Sequence, residues 1–395
     1  SMEDLGGKRY RQCRELTIRS RQAKIDSGAL RLARGLEAVH IAEGHKTCRS
    51  ADGVIYSRDG RTLEYYPVGK MEAVFEIPEG VVKIARSAFA GQRYLEEVLM
   101  PDSVTTVGMG AFSRCGRLRK VVFSENIREI PDASAYQNGG VFEGCGCLEE
   151  AALPGSLEYL GSYAFCSSGL RRIQLNEGLR QMGEYALAAK RLGEVELPAS
   201  LERLGKGALL YAYRVGACIG TARGLVSAVN AVSPGFAEKC VNVEWTRCMV
   251  HAYRQDREER FLIPGSLKRN AAYHLDLAWN GEEIDYGEYD ACFSGIMDPE
   301  ERLEFAWMGI LRSGGEEESP YVSYLKHSAM KAAFRMVEER REEEFLAFLK
   351  MGYLSDSALS KLLQLTNGKQ MVTCSAYILK LQEARGGRKE KKFVL

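Results

Sequence analysis

Residues 100–123 read MPDSVTTVGMGAFSRCGRLRKVVF, and this segment is one unit of an internal repeat that decides the fold. Its centre is a small residue followed by a large apolar one, and this pair returns along the chain at intervals of 23, 30, 23, 22 and 22 residues. The six pairs are Ala88-Phe89, Ala111-Phe112, Val141-Phe142, Ala164-Phe165, Ala186-Leu187 and Ala208-Leu209. Self-similarity at such a period is typical of stacked repeat architectures.

Each unit ends on a short segment in which apolar residues alternate with others. Val121 and Phe123 show this spacing in the quoted unit, and Ile173 and Leu175 show it two units later. A period of two predicts a half-buried strand. Because one unit cannot bury its apolar side alone, we expect the units to stack into a solenoid with a continuous core. A glycine recurs at one position and is expected to allow a tight bend; the examples are Gly108, Gly161, Gly183 and Gly205.

At these positions the chain resembles the BspA-like (Treponema-type) leucine-rich repeat family. The family pattern is approximately I-P-x-x-V-x-x-I-G-x-x-A-F-x-x-C-x-x-L. It is matched here first by Ile77-Pro78, Val81, Ile84, Ala88-Phe89 and Leu95. Residues 52–67 resemble the hairpin-like unit that precedes such arrays, and residues 36–41 read as a half-repeat. The resemblance covers residues 36–218. It implies a leucine-rich repeat solenoid and a binding function, since family members are typically binding proteins, many of them at bacterial surfaces.

Beyond residue 218 the repeat period is lost and helical spacing replaces it. Asp298 and Pro299 have the residue types of an N-cap and a first helical turn, and residues 326–351 carry an apolar stripe that predicts one long helix. Two more helices are expected at 357–365 and 371–384. The predicted fold class is α+β: a leucine-rich repeat solenoid of short strands, followed by an all-helical C-terminal domain.

Four segments are predicted from these patterns. Residues 1–35 contain nine Lys and Arg against four acids and form a basic cap or arm. Residues 36–218 are the solenoid, residues 219–384 are the helical domain, and residues 385–395 are a basic, disordered tail.

Composition excludes several classes of protein. The 54 Lys and Arg nearly balance 53 Asp and Glu, which argues against nucleic acid as a partner bound through bulk charge. No apolar run is long enough to cross a bilayer, so membrane insertion is not expected. Eleven cysteines is an odd number and too few for a disulfide scaffold. We expect a cytoplasmic location, with a cell-surface or secreted location as the alternative if a signal peptide has been removed.

No motif for catalysis or cofactor binding is recognisable. The chain has no phosphate-binding glycine loop after a strand, no nucleophile elbow and no H-E-x-x-H helix. Cys115 and Cys145 share one repeat position and are interpreted as small buried side chains rather than metal ligands. The sets His40, His45, Cys48 and Cys240, Cys248, His251 lack a second close-spaced pair. The predictions are therefore no enzyme, no cofactor and no metal; an enzyme with its site in the helical half is one alternative.

The predicted function is a protein-interaction scaffold, with an adhesin-like surface protein as the other alternative. Outward charges of successive units alternate in sign, which predicts cross-strand ion pairs rather than a charged recognition strip. Beside them, Leu99, Val122 and Ala152 form an apolar column on the outer side of the sheet, which favours contact with a partner or with the helical half. The 30-residue interval contains an insertion whose Tyr136, Gln137 and Asn138 are a second candidate contact for a protein partner.

Overall fold

The computed structural model describes residues 13–133, 139–218, 224–230, 248–254, 257–279, 284–313 and 319–386. The chain divides into two compact units, residues 1–295 and residues 296–395. The domain boundaries that the sequence predicts at residues 36, 219 and 385 stay predictions.

The first unit begins with a small mixed cap. Strand β1 (Glu15–Ile18) pairs in parallel with β2 (Ala38–Ile41), and the four-residue helix α1 (Ser27–Leu30) lies between them in sequence. β3 (Cys48–Ala51), β4 (Val54–Ser57) and β5 (Thr62–Tyr65) form an antiparallel sheet. Asp52 and Gly53 connect β3 to β4 with φ of 49° and 78°, as a two-residue hairpin turn requires. The hairpin-like unit predicted at residues 52–67 is therefore present.

The solenoid consists of two rows of parallel strands, each built from one strand per repeat. We call the first the long-strand row. Its members are β6 (Val74–Glu76), β8 (Glu97–Leu99), β10 (Lys120–Val122), β12 (Glu150–Ala152), β14 (Arg172–Gln174), β16 (Glu194–Glu196) and β18 (Arg214–Cys218). The second is the short-strand row, with β7 (Lys83–Ile84), β9 (Thr106–Val107), β11 (Glu129–Ile130), β13 (Tyr159–Leu160), β15 (Gln181–Met182) and β17 (Arg203–Leu204). Short parallel strands repeated at this period confirm the predicted leucine-rich repeat solenoid.

A column of stacked aromatic rings forms the core of the solenoid. Phe89, Phe112, Phe142 and Phe165 are fully buried, with neighbouring ring centroids 4.8 to 5.4 Å apart. Leu187 and Leu209 are buried at the equivalent positions of the last two repeats. Each aromatic residue contributes a large buried area and an offset ring contact, so this column is the main apolar stabilisation of the array.

The recurring glycines serve a purpose other than the tight bend expected from sequence. At Gly108, Gly161, Gly183 and Gly205 the backbone angle φ is not positive; instead, a Cβ atom would lie 2.3 to 2.5 Å from the backbone of the preceding repeat. Glycine is therefore required because successive turns approach too closely for a side chain.

In the described residues beyond 218, two strands, three α-helices and one 3-10 helix extend the first unit. α2 (Leu225–Asn230) is followed by β19 (Cys248–Arg254) and β20 (Arg257–Ile263). β19 pairs in parallel with β18, and β20 pairs antiparallel with β19, so the hairpin continues the long-strand row. α3 (Arg269–Ala278), α4 (Tyr286–Ala291) and a short 3-10 helix (Phe293–Gly295) complete the unit. The predicted order of solenoid then helices is confirmed, with this hairpin as an addition that the helical spacing did not indicate.

The second unit is helical in its described residues. Its helices are α5 (Pro299–Ser313), α6 (Pro320–His327), α7 (Ala329–Glu338), α8 (Glu342–Lys350), α9 (Asp356–Gly368) and α10 (Val372–Gly386). Asp298 caps α5 by accepting from the N–H groups of Glu300 and Glu301 at 2.8 and 2.9 Å, as predicted. The residues after Gly386, predicted as a disordered tail, lie outside the described part of the chain.

The single helix predicted over residues 326–351 is wrong, because the chain is divided there into parts of α6, α7 and α8. Arg340 has a φ of 56°, which ends the α-helical path. The interruption lets Arg341 reach Glu304 of α5 through two hydrogen bonds of 2.8 and 2.9 Å and also contact Glu344. Glu344 in turn accepts from the Trp307 indole at 2.6 Å. A satisfied ion-pair network, rather than the apolar stripe alone, therefore connects α5 to α8.

Candidate functional site

The long-strand row opens between β10 and β12. β10 pairs with β8, and β12 pairs with β14, but in the described part of the row no ladder joins β10 to β12. A cleft of about 1000 Å³ lies at this opening. Its lining includes Val121, Val122, Ala151 and Ala152 from the two strands. A ladder is likewise missing between β14 and β16, so the described long-strand row is interrupted twice. The cleft at the first interruption is a concave site, the kind of place where ligands and partners bind.

The floor of this cleft is formed by inward residues of the long-strand row, and Val121 and Ile173 among them belong to segments predicted to be half-buried strands. Val98 and Val195 occupy the same inward position in other repeats and are buried, but Val121, Ala151 and Ile173 are only half-buried. Val121 and Ala151 each lack a paired strand on the side of the opening, and Ile173 lacks one on the side of β16. Val195 remains buried although β16 has no ladder to β14, so a missing ladder alone does not fix the exposure of this position. Two sequence features could have indicated the opening: the small Ala151 at a position otherwise occupied by Val or Ile, and the 30-residue interval.

The predicted apolar column lies along this cleft. Leu99 is directly opposite Val122 in the ladder, and Ala152 is opposite Gln174 on the far side of the opening. Val122 is 39% exposed, Ala152 is exposed and Leu99 is half-buried. The structure thus places Val122 and Ala152 on opposite walls of one cleft, with Leu99 behind Val122. Tyr136, Gln137 and Asn138, the candidates on the insertion, lie outside the described residues.

The charged columns beside the cleft form ion pairs. Lys120 contacts Glu97 at 2.5 Å, Arg172 contacts Glu150, and Arg214 contacts Glu194 at 3.2 Å. Each of these pairs joins two strands that share a ladder. The flanking column contains Arg119 with Glu96 and Arg171 with Glu149, at 3.8 and 3.5 Å. The alternating charges therefore compensate one another locally, as the sequence predicts, and give the cleft a rim of both signs.

Comparison with known proteins identifies repeats of a known type in this part of the chain. A family model described as "BspA type Leucine rich repeat region" matches residues 70–139 and 138–215, in six copies. Residues 70–215 are thus similar to BspA-type leucine-rich repeats. The resemblance found from sequence is confirmed over this range, and the cleft between β10 and β12 lies within it. A search of curated proteins gives no match.

Several solved bacterial structures are similar to the chain over about half of its length. A leucine-rich cell surface protein from Faecalibacterium prausnitzii is 23% identical, with 56% of this chain and 52% of that chain covered and a TM-score of 0.39. A leucine-rich repeat protein from Eubacterium ventriosum is 20% identical, with coverages of 50% and 59% and a TM-score of 0.41. The pneumococcal vaccine antigen PcpA is 20% identical, with coverages of 51% and 50% and a TM-score of 0.37. The chain therefore spans about half of the length of these proteins.

Two cysteines of the repeats, Cys115 and Cys145, have buried thiols that are hydrogen-bonded to the backbone. Cys115 and Cys145 are buried, and each thiol donates to the carbonyl of the preceding repeat's phenylalanine, Phe89 or Phe112, at 3.1 Å. Burial raises the pKa of the Cys115 thiol well above its ordinary value, which suppresses the reactive thiolate. The interpretation of this position as a column of small buried side chains is consistent with these contacts.

Of the candidate metal ligands, His45 and Cys48 are neighbours, whereas Cys240 lies outside the described residues. His45 is buried, and its ring contacts the carbonyl of Ala23 at 3.0 Å and the N–H groups of Thr47 and Cys48 at 3.3 and 3.2 Å. The Nδ1 atom of the partly exposed His274 lies within hydrogen-bond distance of a Glu288 carboxylate oxygen, at 2.6 Å. Within the described ranges no group of three or more His, Cys, Asp or Glu residues could hold a metal. None of the described helices has the length and hydrophobicity needed to cross a membrane. The absence of a metal or cofactor remains a prediction.

Proposed function

We propose that this protein is a non-enzymatic scaffold that binds a protein partner in the cleft between β10 and β12. The observation that carries the proposal is the exposure of Val122 and Ala152 on the two walls of a cleft whose floor is apolar. Rigid apolar side chains contribute to binding at little cost in ordering entropy. The repeat backbone provides this rigidity, because each turn is hydrogen-bonded to its neighbours elsewhere in the array.

The chemistry of the partner follows from the lining of the cleft. Its floor accepts an aliphatic or aromatic side chain, while Lys120 stands on one wall and Glu150 on the other. A segment that inserts an apolar residue and carries an acid towards Lys120 and a base towards Glu150 would complement both. Because the rim has no net charge, binding should depend weakly on salt.

The test is affinity capture from native extract with the Val122→Asp/Ala152→Asp variant, both positions being exposed. Val74→Asp is a matched control, since Val74 is 52% exposed in β6 of the same row but does not line the cleft. We expect a partner retained by the wild-type chain and the control to be lost with the double variant. Retention by all three proteins would reject this cleft as the docking surface.

A further variant tests whether the partner binds the insertion rather than the cleft. Tyr136→Ala/Gln137→Ala/Asn138→Ala should leave capture intact if the cleft binds the partner, and should abolish it if the insertion does. A double cleft variant that loses thermal stability together with binding would instead indicate an interface within the chain. The cytoplasmic location and its cell-surface alternative are tested separately, by fractionating the native cells with an antibody against the repeats.

A further inference from the structure

A second cleft, of about 740 Å³, lies where the N-terminal cap meets the first repeats. Five arginines line it, and no described residue in the lining is acidic. They are Arg31, Arg34, Arg86, Arg93 and Arg114. The remaining lining consists of Val68, Ala90, Gly91 and the two serines Ser87 and Ser113. The N-terminal segment is basic in sequence, but the arginines that it meets in this cleft lie more than fifty residues away along the chain.

The walls of this arginine cleft are held by backbone contacts. The Arg31 guanidinium donates to the carbonyl oxygen of Ser87 at 2.9 Å, which ties the cap to the turn after β7. Ser87 and Arg114 both have left-handed backbone angles, with φ of 55° and 58°. The turns that carry them are joined by a hydrogen bond of 2.8 Å from the Gly91 N–H to the Ser113 carbonyl. The arginines therefore extend from a fixed frame, which reduces the entropy lost when they bind a ligand.

The positive charge of the cleft is only partly compensated. Arg34, Arg93 and Arg114 form no ion pair with any residue in the ranges that the structure describes. Burial, together with the charge of Arg86, lowers the pKa of Arg31, and Asp26 acts in the opposite direction. The Asp26 carboxylate is itself engaged by the N–H groups of Gly28 and Ala29 at 2.8 and 3.2 Å. Five guanidinium groups around one cleft repel one another, and a bound anion would relieve that repulsion.

A serine hydroxyl in the lining offers a further donor to a ligand in the cleft. Ser113 is 5% exposed and lines the cleft, yet its side chain makes no hydrogen bond to the rest of the described chain. The hydroxyl oxygen is accessible to solvent, so it is free to hydrogen-bond with a ligand in the cleft. The preceding repeat has Ala90 at the equivalent position, so the fold itself does not require a hydroxyl there.

We propose that the arginine cleft binds a small ligand that carries two or more phosphate groups. Guanidinium groups bind phosphate oxygens through paired hydrogen bonds, and the Ser113 hydroxyl supplies a further donor. The volume exceeds what a single phosphate needs, and several phosphates carry more negative charge in that space than the same number of carboxylates. This site is separate from the cleft between β10 and β12 and does not depend on the proposed scaffold function.

The test is calorimetric titration of the full chain with tripolyphosphate, with citrate as a polycarboxylate comparison and inorganic phosphate as a single-group comparison. We expect tripolyphosphate to bind more tightly than either, with an affinity that falls as salt is added. No measurable binding of tripolyphosphate, or equal affinity for citrate, would overturn the proposal. Tighter binding of a short single-stranded oligonucleotide than of tripolyphosphate would replace it with a nucleic-acid site.

Matched variants assign the binding to this cleft. Arg93→Gln/Arg114→Gln should weaken tripolyphosphate binding by about tenfold or more. Arg58→Gln/Arg203→Gln removes the same charge from exposed positions outside the cleft and should leave the affinity within about twofold. Equal weakening by both pairs would show a general charge effect and contradict the site. Ser113→Ala, which copies the residue of the preceding repeat, should retain the fold and weaken binding several-fold; unchanged affinity would show that the Ser113 hydroxyl does not contact the ligand.

Discussion

Phe112 and Phe142 stack with ring centroids 5.4 Å apart and ring planes 6° from parallel. They are 30 residues apart in sequence, whereas Phe89 and Phe112 are 23 residues apart with centroids at 4.8 Å. The core column therefore continues unchanged past the insertion. One of the two interruptions of the long-strand row occurs in this same repeat, so the longer unit keeps its aromatic contact and lacks its strand pairing.

The aromatic column makes a quantitative prediction about stability. Phe112→Ala should lower the free energy of unfolding by about 3–5 kcal/mol, because it removes a fully buried ring between two stacked neighbours. Phe334→Ala is the matched control, since Phe334 is 44% exposed, and should change it by less than about 1 kcal/mol. Denaturant unfolding measures both. A loss for Phe112→Ala no larger than the control would contradict a continuous core.

Glycine-to-alanine substitutions, which add one methyl group, test why glycine recurs in the repeats. Gly108→Ala places a Cβ 2.5 Å from the Arg86 nitrogen and should destabilise the array by about 1–3 kcal/mol. Gly116→Ala meets no atom within 4 Å and should be neutral within about 0.5 kcal/mol. The melting temperatures of the two variants show whether glycine is needed at Gly108 because neighbouring turns approach closely or because the backbone must be flexible. Similar losses for both would favour a flexibility requirement instead.

The ion-pair network of the helical unit should be far more sensitive than the surface pairs of the repeats. Arg341→Ala leaves Glu304, which is 5% exposed, without its bidentate partner and should cost about 3–5 kcal/mol. Arg180→Ala removes an exposed partner of Glu202 and should cost less than about 1 kcal/mol. The comparison is made by denaturant unfolding of the full chain. An equally small effect at both sites would show that the buried network contributes little.

The cysteines are expected to be reduced and to react according to burial. Most of the eleven thiols should titrate as free in denatured protein prepared without reductant, and elemental analysis should find no stoichiometric metal. In the native state Cys115, Cys248 and Cys292 should react slowly with a thiol reagent, because burial raises their pKa, to about 12 for Cys292. The half-buried Cys13 and Cys147 should react before these three, as peptide mapping would show. Rapid labelling of Cys115 in folded protein would contradict this order.

The repeating pattern of apolar residues in the sequence was sufficient to predict the solenoid. The spacing of the small-large apolar pairs located the buried column from Phe89 to Leu209, and the period-two segments located the strands of the long-strand row. Both are local consequences of burying one side of a short unit, so they can be read from residue order. The signs of the outward charges likewise predicted their pairing, because neighbours in a parallel stack are equivalent positions of successive repeats.

Only the tertiary structure shows where strand pairing between successive repeats is missing and which side chains are exposed there. Val121 and Ile173 have the same pattern as buried Val98 but are only half-buried, and residue order does not encode whether the next strand pairs. The close approach at Gly108 and the break before Arg341 depend on atoms from other repeats or helices. The arginine cleft combines Arg31 and Arg34 with Arg114, about eighty residues away, through a fold-dependent contact. Sequence patterns report local burial, whereas clefts arise from how distant segments meet.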